Sequence, residues 1–331
     1  MDISAEEKSV SEVPEQTDED GVRVMARIGL VDVDGHNFPN LALMRIASFH
    51  KQQGDEVEWW LGDLFHYDIV YKSKVFSDAY TKDIPDPINA DYVYKGGTGY
   101  AISLKDGVEV FDNDVCGELP TEIESMKPDY SIYPEYNFAI SMTTRGCPRG
   151  CPFCVVGKKE GRCSRKVADV SDFYDGQKHI EILDPNITAC KDRFDLYEQY
   201  LETKASITFN QGIDIRMITE RDVEYLNRMK IKELHFAWDN PKDELEGKFK
   251  MFSEMWSRSK EHITVFCLVN YHSTIEEDLR RIYTVRDMGY SPFVMVYNKP
   301  SASKEIIHLQ RWVNNRIIFK KCRRFEDFVN K

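Results

Sequence analysis

With 331 residues the chain is long enough for two domains that each bury a core, and its 42% hydrophobic and 30% charged residues leave no tract long and apolar enough for a membrane span. Residues 1–20 carry eight acids against Lys8 and so supply −7 of the net charge of −12. The mild excess left over the rest excludes broad electrostatic adhesion to nucleic acid and leaves room only for a local basic patch. No basic and then apolar leader opens the sequence, so the cytoplasm is the expected compartment, and the eight cysteines are read as reduced thiols suited to metal ligation or catalysis.

In chain order, the acidic tail over residues 1–21 is expected to be disordered. Residues 22–119 read as one small domain. A strand over 27–33 precedes a helix over 41–53 that Gly54 stops, and further strands are expected over 57–61, 67–71 and 92–94, the last closed by Gly96 and Gly97. That order predicts a small Rossmann-like or flavodoxin-like sheet. Pro120, Pro128 and Pro134 mark residues 120–135 as a linker. From 136 to 331 strands and helices alternate: strands over 138–143, 179–183, 206–209, 233–238, 263–269 and 292–296, with helices over 193–203, 219–230, 244–258 and 275–288. Parallel neighbours need helical crossovers, so six such strands predict an α/β architecture, a partial (βα)6 barrel with a C-terminal extension.

The segment running from Thr143 through Gly146, Cys147, Gly150 and Cys151 to Phe153 and Cys154 directly follows the first barrel strand and has the spacing C-x3-C-x2-C. Three thiolates on one short loop can take three corners of an iron-sulfur cube and leave one iron without a protein ligand, while Gly146 and Gly150 allow backbone turns that other residues resist. A structural zinc site would need a fourth ligand, and Cys163 would have to supply it at a spacing unlike a zinc ribbon, so the cluster is preferred. Cys116, Cys190, Cys267 and Cys322 are scattered and read as structural.

This cysteine loop, with an aromatic just before its third cysteine and at the end of a first barrel strand, resembles the radical S-adenosylmethionine (SAM) superfamily. The resemblance implies a 4Fe-4S cluster on Cys147, Cys151 and Cys154, SAM bound to the open iron, reductive cleavage to a 5′-deoxyadenosyl radical, and hydrogen abstraction from a substrate. It also implies a reducing partner of flavodoxin or ferredoxin type.

Ligands of a parallel barrel sit where strands end. Candidates for the SAM contact are therefore Phe153 in the cysteine loop after the first strand, Asp184 and Asn186 after the second, Asp214 and Arg216 after the third, Asp239 after the fourth and Asn270 after the fifth. Each also has a plain reading. Asp184 before Pro185 is a cap or Asx-turn, Asp214 with Arg216 is a salt-bridged loop, and Asp239 opens a turn. Lys158, Lys159, Arg162, Arg165 and Lys166 form a basic run that reads as a solvated face or as a phosphate or carboxylate contact; no aromatics interleave it, so nucleic-acid binding is not indicated.

In the first domain, Asp34, His36 and Pro39 resemble the D-x-H-x-x-G loop of cobalamin-binding domains with proline in place of glycine, and Ser73 with Gly96 and Gly97 echoes their later loops. The resemblance implies His36 as a cobalt ligand, Asp34 fixing its tautomer, and glycines admitting the nucleotide tail. The plain reading, a His36 in a loop of a domain without cobalamin, is preferred. Three functions stay open: a radical SAM enzyme of unidentified substrate, a cobalamin-dependent radical SAM methyltransferase, and a non-catalytic module stapled by a metal. No catalytic residue is named by the sequence.

Overall fold

The computed structural model describes residues 24–105, 108–115 and 119–329, so the acidic tail over 1–21 and Cys116 lie outside the described residues. The chain divides into two compact units, Met1–Ile140 and Ser141–Lys331.

The first unit is built on four strands, β1 (Arg27–Asp32), β2 (Glu56–Trp59), β3 (Tyr67–Ser73) and β4 (Ala90–Gly96), in the order β2-β1-β3-β4 with every neighbouring pair parallel. Between β1 and β2 runs α1 (Leu41–Gln52), started by Asn40, whose side chain accepts the Leu43 amide. Leu43, Met44, Ala47 and His50 are its buried side. His50 ties this helix to the sheet through Asp55 at 2.7 Å and the Tyr71 hydroxyl at 2.9 Å.

The second sheet face differs from a Rossmann sheet, because residues 60–66 and 74–89, which lead into β3 and β4, form no helix. These connections cover the face themselves. Lys72 is buried, and its ammonium donates to the Ile84 carbonyl and to Asp86, both at 2.6 Å, while the Leu61 amide donates to the Tyr67 hydroxyl. A hairpin of β5 (Ile102–Lys105) and β6 (Val108–Phe111) follows, then α2 (Thr121–Glu124). The segment expected as a linker is instead part of this unit. The Asp129 amide donates to the Met44 carbonyl, Trp59 Nε1 to the Ile132 carbonyl, and Tyr133 is buried with its hydroxyl on Asp32. Its prolines punctuate a docked strap, in which Tyr133 meets Trp59 of β2 edge-on at 5.1 Å.

The second unit carries the alternating pattern. Its sheet contains β7 (Ala139–Ser141), then, after the short pair β8 (Thr144–Arg145) and β9 (Arg165–Lys166) and the helical turn α3 (Val156–Lys159), the strands β10 (His179–Ile182), β11 (Ser206–Phe209), β12 (Lys230–Ala237), β13 (Ile263–Val269) and β14 (Ser291–Val296). The order is β14-β13-β12-β11-β10-β7, with all pairs from β10 to β14 parallel. The crossovers are α4 (Arg193–Thr203), α5 (Glu220–Arg228), α6 (Glu246–Met255) and α7 (Ile275–Asp287). Thr219 with Asp222 and Thr274 with Glu277 form capping boxes that start α5 and α7. β7 and β14 are sheet edges, so the barrel is open, as expected. The C-terminal extension, α8 (Lys304–Asn314), α9 (Arg316–Lys321) and α10 (Phe325–Val329), blunts one edge: Asn314 both accepts the Val294 amide and donates to its carbonyl. Among the described residues no helix is long and apolar enough to cross a membrane.

Candidate functional site

The cysteine loop is fastened before it is filled. β8 and β9 pair antiparallel through Thr144 with Lys166 and Arg145 with Arg165, so the loop between them closes at its base. Gly146 has φ +85°, and a Cβ there would stand 2.3 Å from the Cys163 carbonyl oxygen; Gly150 has φ +59° and lies under the Arg162 guanidinium. Gly146 therefore demands glycine twice over, by backbone conformation and by close approach to backbone, and Gly150 by its backbone conformation. The Cys147 amide donates to the Gly161 carbonyl, and Glu160 accepts the Gly146 amide at 3.1 Å.

Beneath the loop lies Asp184, 2% exposed. Its carboxylate accepts the amides and hydroxyls of both Thr143 and Thr144, four bonds of 2.5–3.0 Å, and Thr143 also meets the Tyr200 hydroxyl at 2.7 Å. Burial pushes its pKa up to about 6 against the pull of those four donors. The sequence placed Asp184 as an acceptor for SAM. The structure spends its acceptor positions on the threonines, so it anchors the loop, and the threonines were legible only as the two residues ahead of it.

Cys147, Cys151 and Cys154 are half-buried, and Cys163 is exposed with its thiol directed at the Ser164 carbonyl. Burial pushes the Cys151 and Cys154 thiols up, while Arg216 and Arg149 draw Cys151 back down. A zinc tetrahedron built on bonds of about 2.3 Å would hold sulfurs about 3.8 Å apart. Among the described residues the group of metal-type donors gathered within 4.8 Å of one another is His66, Asp68 and Asp91, and the cysteines do not form one. Three soft donors on one loop, not drawn together as zinc ligands are and with Cys163 exposed, fit three corners of a cluster.

The other candidates surround this loop unequally. Asn186, also 2% exposed, donates from Nδ2 to Cys147 Sγ at 3.4 Å. Asp214 accepts the Arg216 amide and Nε through one oxygen; the other oxygen is buried, lacks a hydrogen-bond partner, and has Arg149 of the cysteine loop 3.8 Å away. Arg216 also reaches Asp243 at 3.0 Å, so its guanidinium joins two carboxylates of the chain. Asp239 lies near enough to Cys151 and Cys154 to raise both thiols, and its own carboxyl is raised by burial and eased by Arg216. Phe153 meets Tyr271 edge-on at 5.1 Å, and Tyr271 meets Tyr297 at 4.7 Å. Asn270 takes a left-handed backbone at φ 64° and gives its amide to the Tyr297 carbonyl, so that side chain joins the ends of β13 and β14.

Arg149, Asp243 and Tyr271 were not found from the sequence, because each acts through a partner distant in the chain. The same holds for Arg281, fully buried, which donates to the Trp238, Asp239 and Leu268 carbonyls and pairs with Asp278 at the ends of β12 and β13. The basic run divides: Lys166 pairs with Asp169 and Asp195, Arg165 with the Glu160 carbonyl, Arg162 covers Gly150, and Lys158 stays exposed.

In the first unit the cobalamin constellation is not assembled. Asp34 accepts the Val75 and Phe76 amides, one on each oxygen. His36 is exposed, with its ring edge-on to Trp59 at 4.2 Å. The Asp32 carboxyl, which feels the His36 charge, takes the Tyr133 hydroxyl at 2.7 Å. The Ser73 hydroxyl accepts from Asn40 at 2.9 Å. Gly97, at φ +100°, makes room for the Lys74 carbonyl, which would stand 2.3 Å from a Cβ, while Gly96 has open space. These residues do not fit a histidine-ligated corrinoid.

No family model matches the chain, and no curated protein matches it. Solved structures do. The radical SAM methyltransferase TsrM from Kitasatospora setae, with cobalamin and a 4Fe-4S cluster bound, aligns with a TM-score of 0.59 at 11% identity over 82% of this chain and 75% of that one. The same enzyme with tryptophan substrate and the SAM analogue aza-SAM aligns with a TM-score of 0.57 at 11% identity over 82% and 73%. The chain shares the fold of that enzyme over most of its length, with a small parallel-sheet unit followed in sequence by an open six-stranded α/β barrel.

Proposed function

We propose that the chain is a radical SAM enzyme that holds a 4Fe-4S cluster on Cys147, Cys151 and Cys154 and cleaves SAM reductively. The observation that carries this is the fastened loop of three thiols at the end of the first barrel strand, beside the buried Asp214 oxygen that has no hydrogen-bond partner. When bound, the cluster supplies the single electron and the open iron that the reaction requires.

The chain's own residues do the rest. Asp184 and the two threonines hold the loop. Asp214 Oδ2, which has no hydrogen-bond partner, is the acceptor for an ammonium group, and Arg149, 3.8 Å from it, carries a charge that suits a carboxylate. Asp239, next to the cysteines, is the acceptor for sugar hydroxyls, and Phe153 with Tyr271 supplies an apolar wall that limits water. Anaerobic reconstitution with iron and sulfide, then dithionite and SAM, is expected to release 5′-deoxyadenosine, with loss of that product in Cys151→Ala. A fully loaded cluster that leaves SAM intact would refute the reading.

A narrower form, cobalamin-dependent methyl transfer, is favoured by the likeness of 82% of the chain to a methyltransferase with cobalamin bound. Asp34 and His36 do not support histidine ligation of cobalt, and no step is derived through that group. Retention of hydroxocobalamin by the full chain on gel filtration, read from its visible spectrum, tests it. A colourless protein peak removes it.

A further inference from the structure

Asn186 was placed among SAM contacts by its position after the second barrel strand, but its side chain is committed elsewhere. Thr188 Oγ1, which accepts the Asp214 amide, donates to Asn186 Oδ1 at 2.8 Å, and this network assigns Oδ1 as the acceptor end of the amide. Nδ2 is thereby turned to Cys147 Sγ at 3.4 Å. The backbone is held as well, since the Asn186 carbonyl accepts the Ser164 hydroxyl at 2.9 Å, and the Thr188 hydroxyl in turn accepts the Asp214 amide. An amide so buried and so oriented is a fixed dipole with its positive end on one sulfur.

We propose that Asn186 sets the reduction potential of the cluster through its N–H···S bond to Cys147. This rests on the cluster assignment above. Hydrogen bonds to cysteine sulfurs are among the factors that fix cluster potential. One-electron reduction adds negative charge to a centre already ligated by thiolates, and a donor aimed at a ligand sulfur stabilises the reduced form more than the oxidised form. Cys154 receives the Val156 backbone amide, which no side-chain substitution removes. Asn186 is a side-chain hydrogen-bond donor to a ligand sulfur, beside the charges of Arg149, Arg216 and Asp239 near Cys151, and it acts through Cys147 as a positioning residue.

The test is an anaerobic redox titration, monitored by electron paramagnetic resonance, of the full reconstituted chain and two variants. Asn186→Leu keeps the shape and removes the donor; Thr188→Val keeps the donor and releases its orientation. The expected result is a midpoint potential more negative than wild type in Asn186→Leu, with a smaller shift of the same sign in Thr188→Val, at iron contents equal to wild type. If Asn186→Leu does not load iron, the Thr188→Val shift decides. Loaded variants whose potentials match wild type, or move in the positive direction, overturn the proposal. Failure of the wild-type chain to assemble any cluster would instead overturn the function on which it rests.

Discussion

Replacing Asp184 separates its two roles, because its environment costs free energy in one way and returns it in another. Holding the carboxyl at about 6 instead of 3.8 amounts to about 3 kcal/mol of instability at pH 7, where it is ionised in both folded and unfolded chains. The sign follows from the direction: a raised carboxyl disfavours the folded state above its folded pKa, and the penalty is relieved as the pH falls from about 6 to about 4. In Asp184→Asn the remaining oxygen can keep the Thr143 and Thr144 amides, and the new NH2 can donate to the two threonine hydroxyls, which rotate to accept. That variant should equal or exceed wild type in stability at pH 7, with the difference shrinking by about half by pH 5. Asp184→Ala leaves the two amides and the Thr144 hydroxyl buried without an acceptor, at about 1–3 kcal/mol each, which outweighs the relieved charge. It should lose about 2–4 kcal/mol and bind less iron. Urea denaturation of the apo chain at pH 7 and pH 5, with iron content after reconstitution, measures all three proteins. An Asp184→Ala chain as stable and as iron-rich as wild type would refute the anchoring role.

Other outcomes follow from the same geometry. Alanine at Cys147, Cys151 or Cys154 should abolish stoichiometric iron binding, while Cys163→Ser should bind iron as wild type does; a fall in Cys163→Ser would bring back the four-ligand site. Gly97→Ala drives a Cβ into the Lys74 carbonyl at a positive φ and should cost more than about 2 kcal/mol by denaturant titration, whereas Gly96→Ala should stay within about 0.5 kcal/mol. Arg281→Ala leaves Asp278 charged and unpaired beneath β12 and β13 and should cost about 3–5 kcal/mol, visible as an early thermal transition.

Hydrophobic periodicity located the barrel closely because each of its elements buries one regular face: β11, β13 and α4 fall at their expected bounds. It failed for residues 120–135. Proline spacing marks where a chain turns, and cannot tell whether Ile132 and Tyr133 between the turns find a surface to bury against. The missing helices of the first unit were equally hidden, since Lys72 and Tyr67 recruit loop carbonyls and amides that no local pattern announces.

The cysteine spacing, the glycines beside it and the strand and helix alternation were determined by the sequence alone, because each depends on neighbours along the chain. Which polar residue does what was decided by tertiary structure. Asp184 became an anchor when two threonine donors 40 and 41 residues away closed on it. Asp34 took the Val75 amide, 41 residues away, for the same reason. A carboxylate or an amide goes to whichever donor or acceptor the fold brings within bonding distance, and only folding sets those distances.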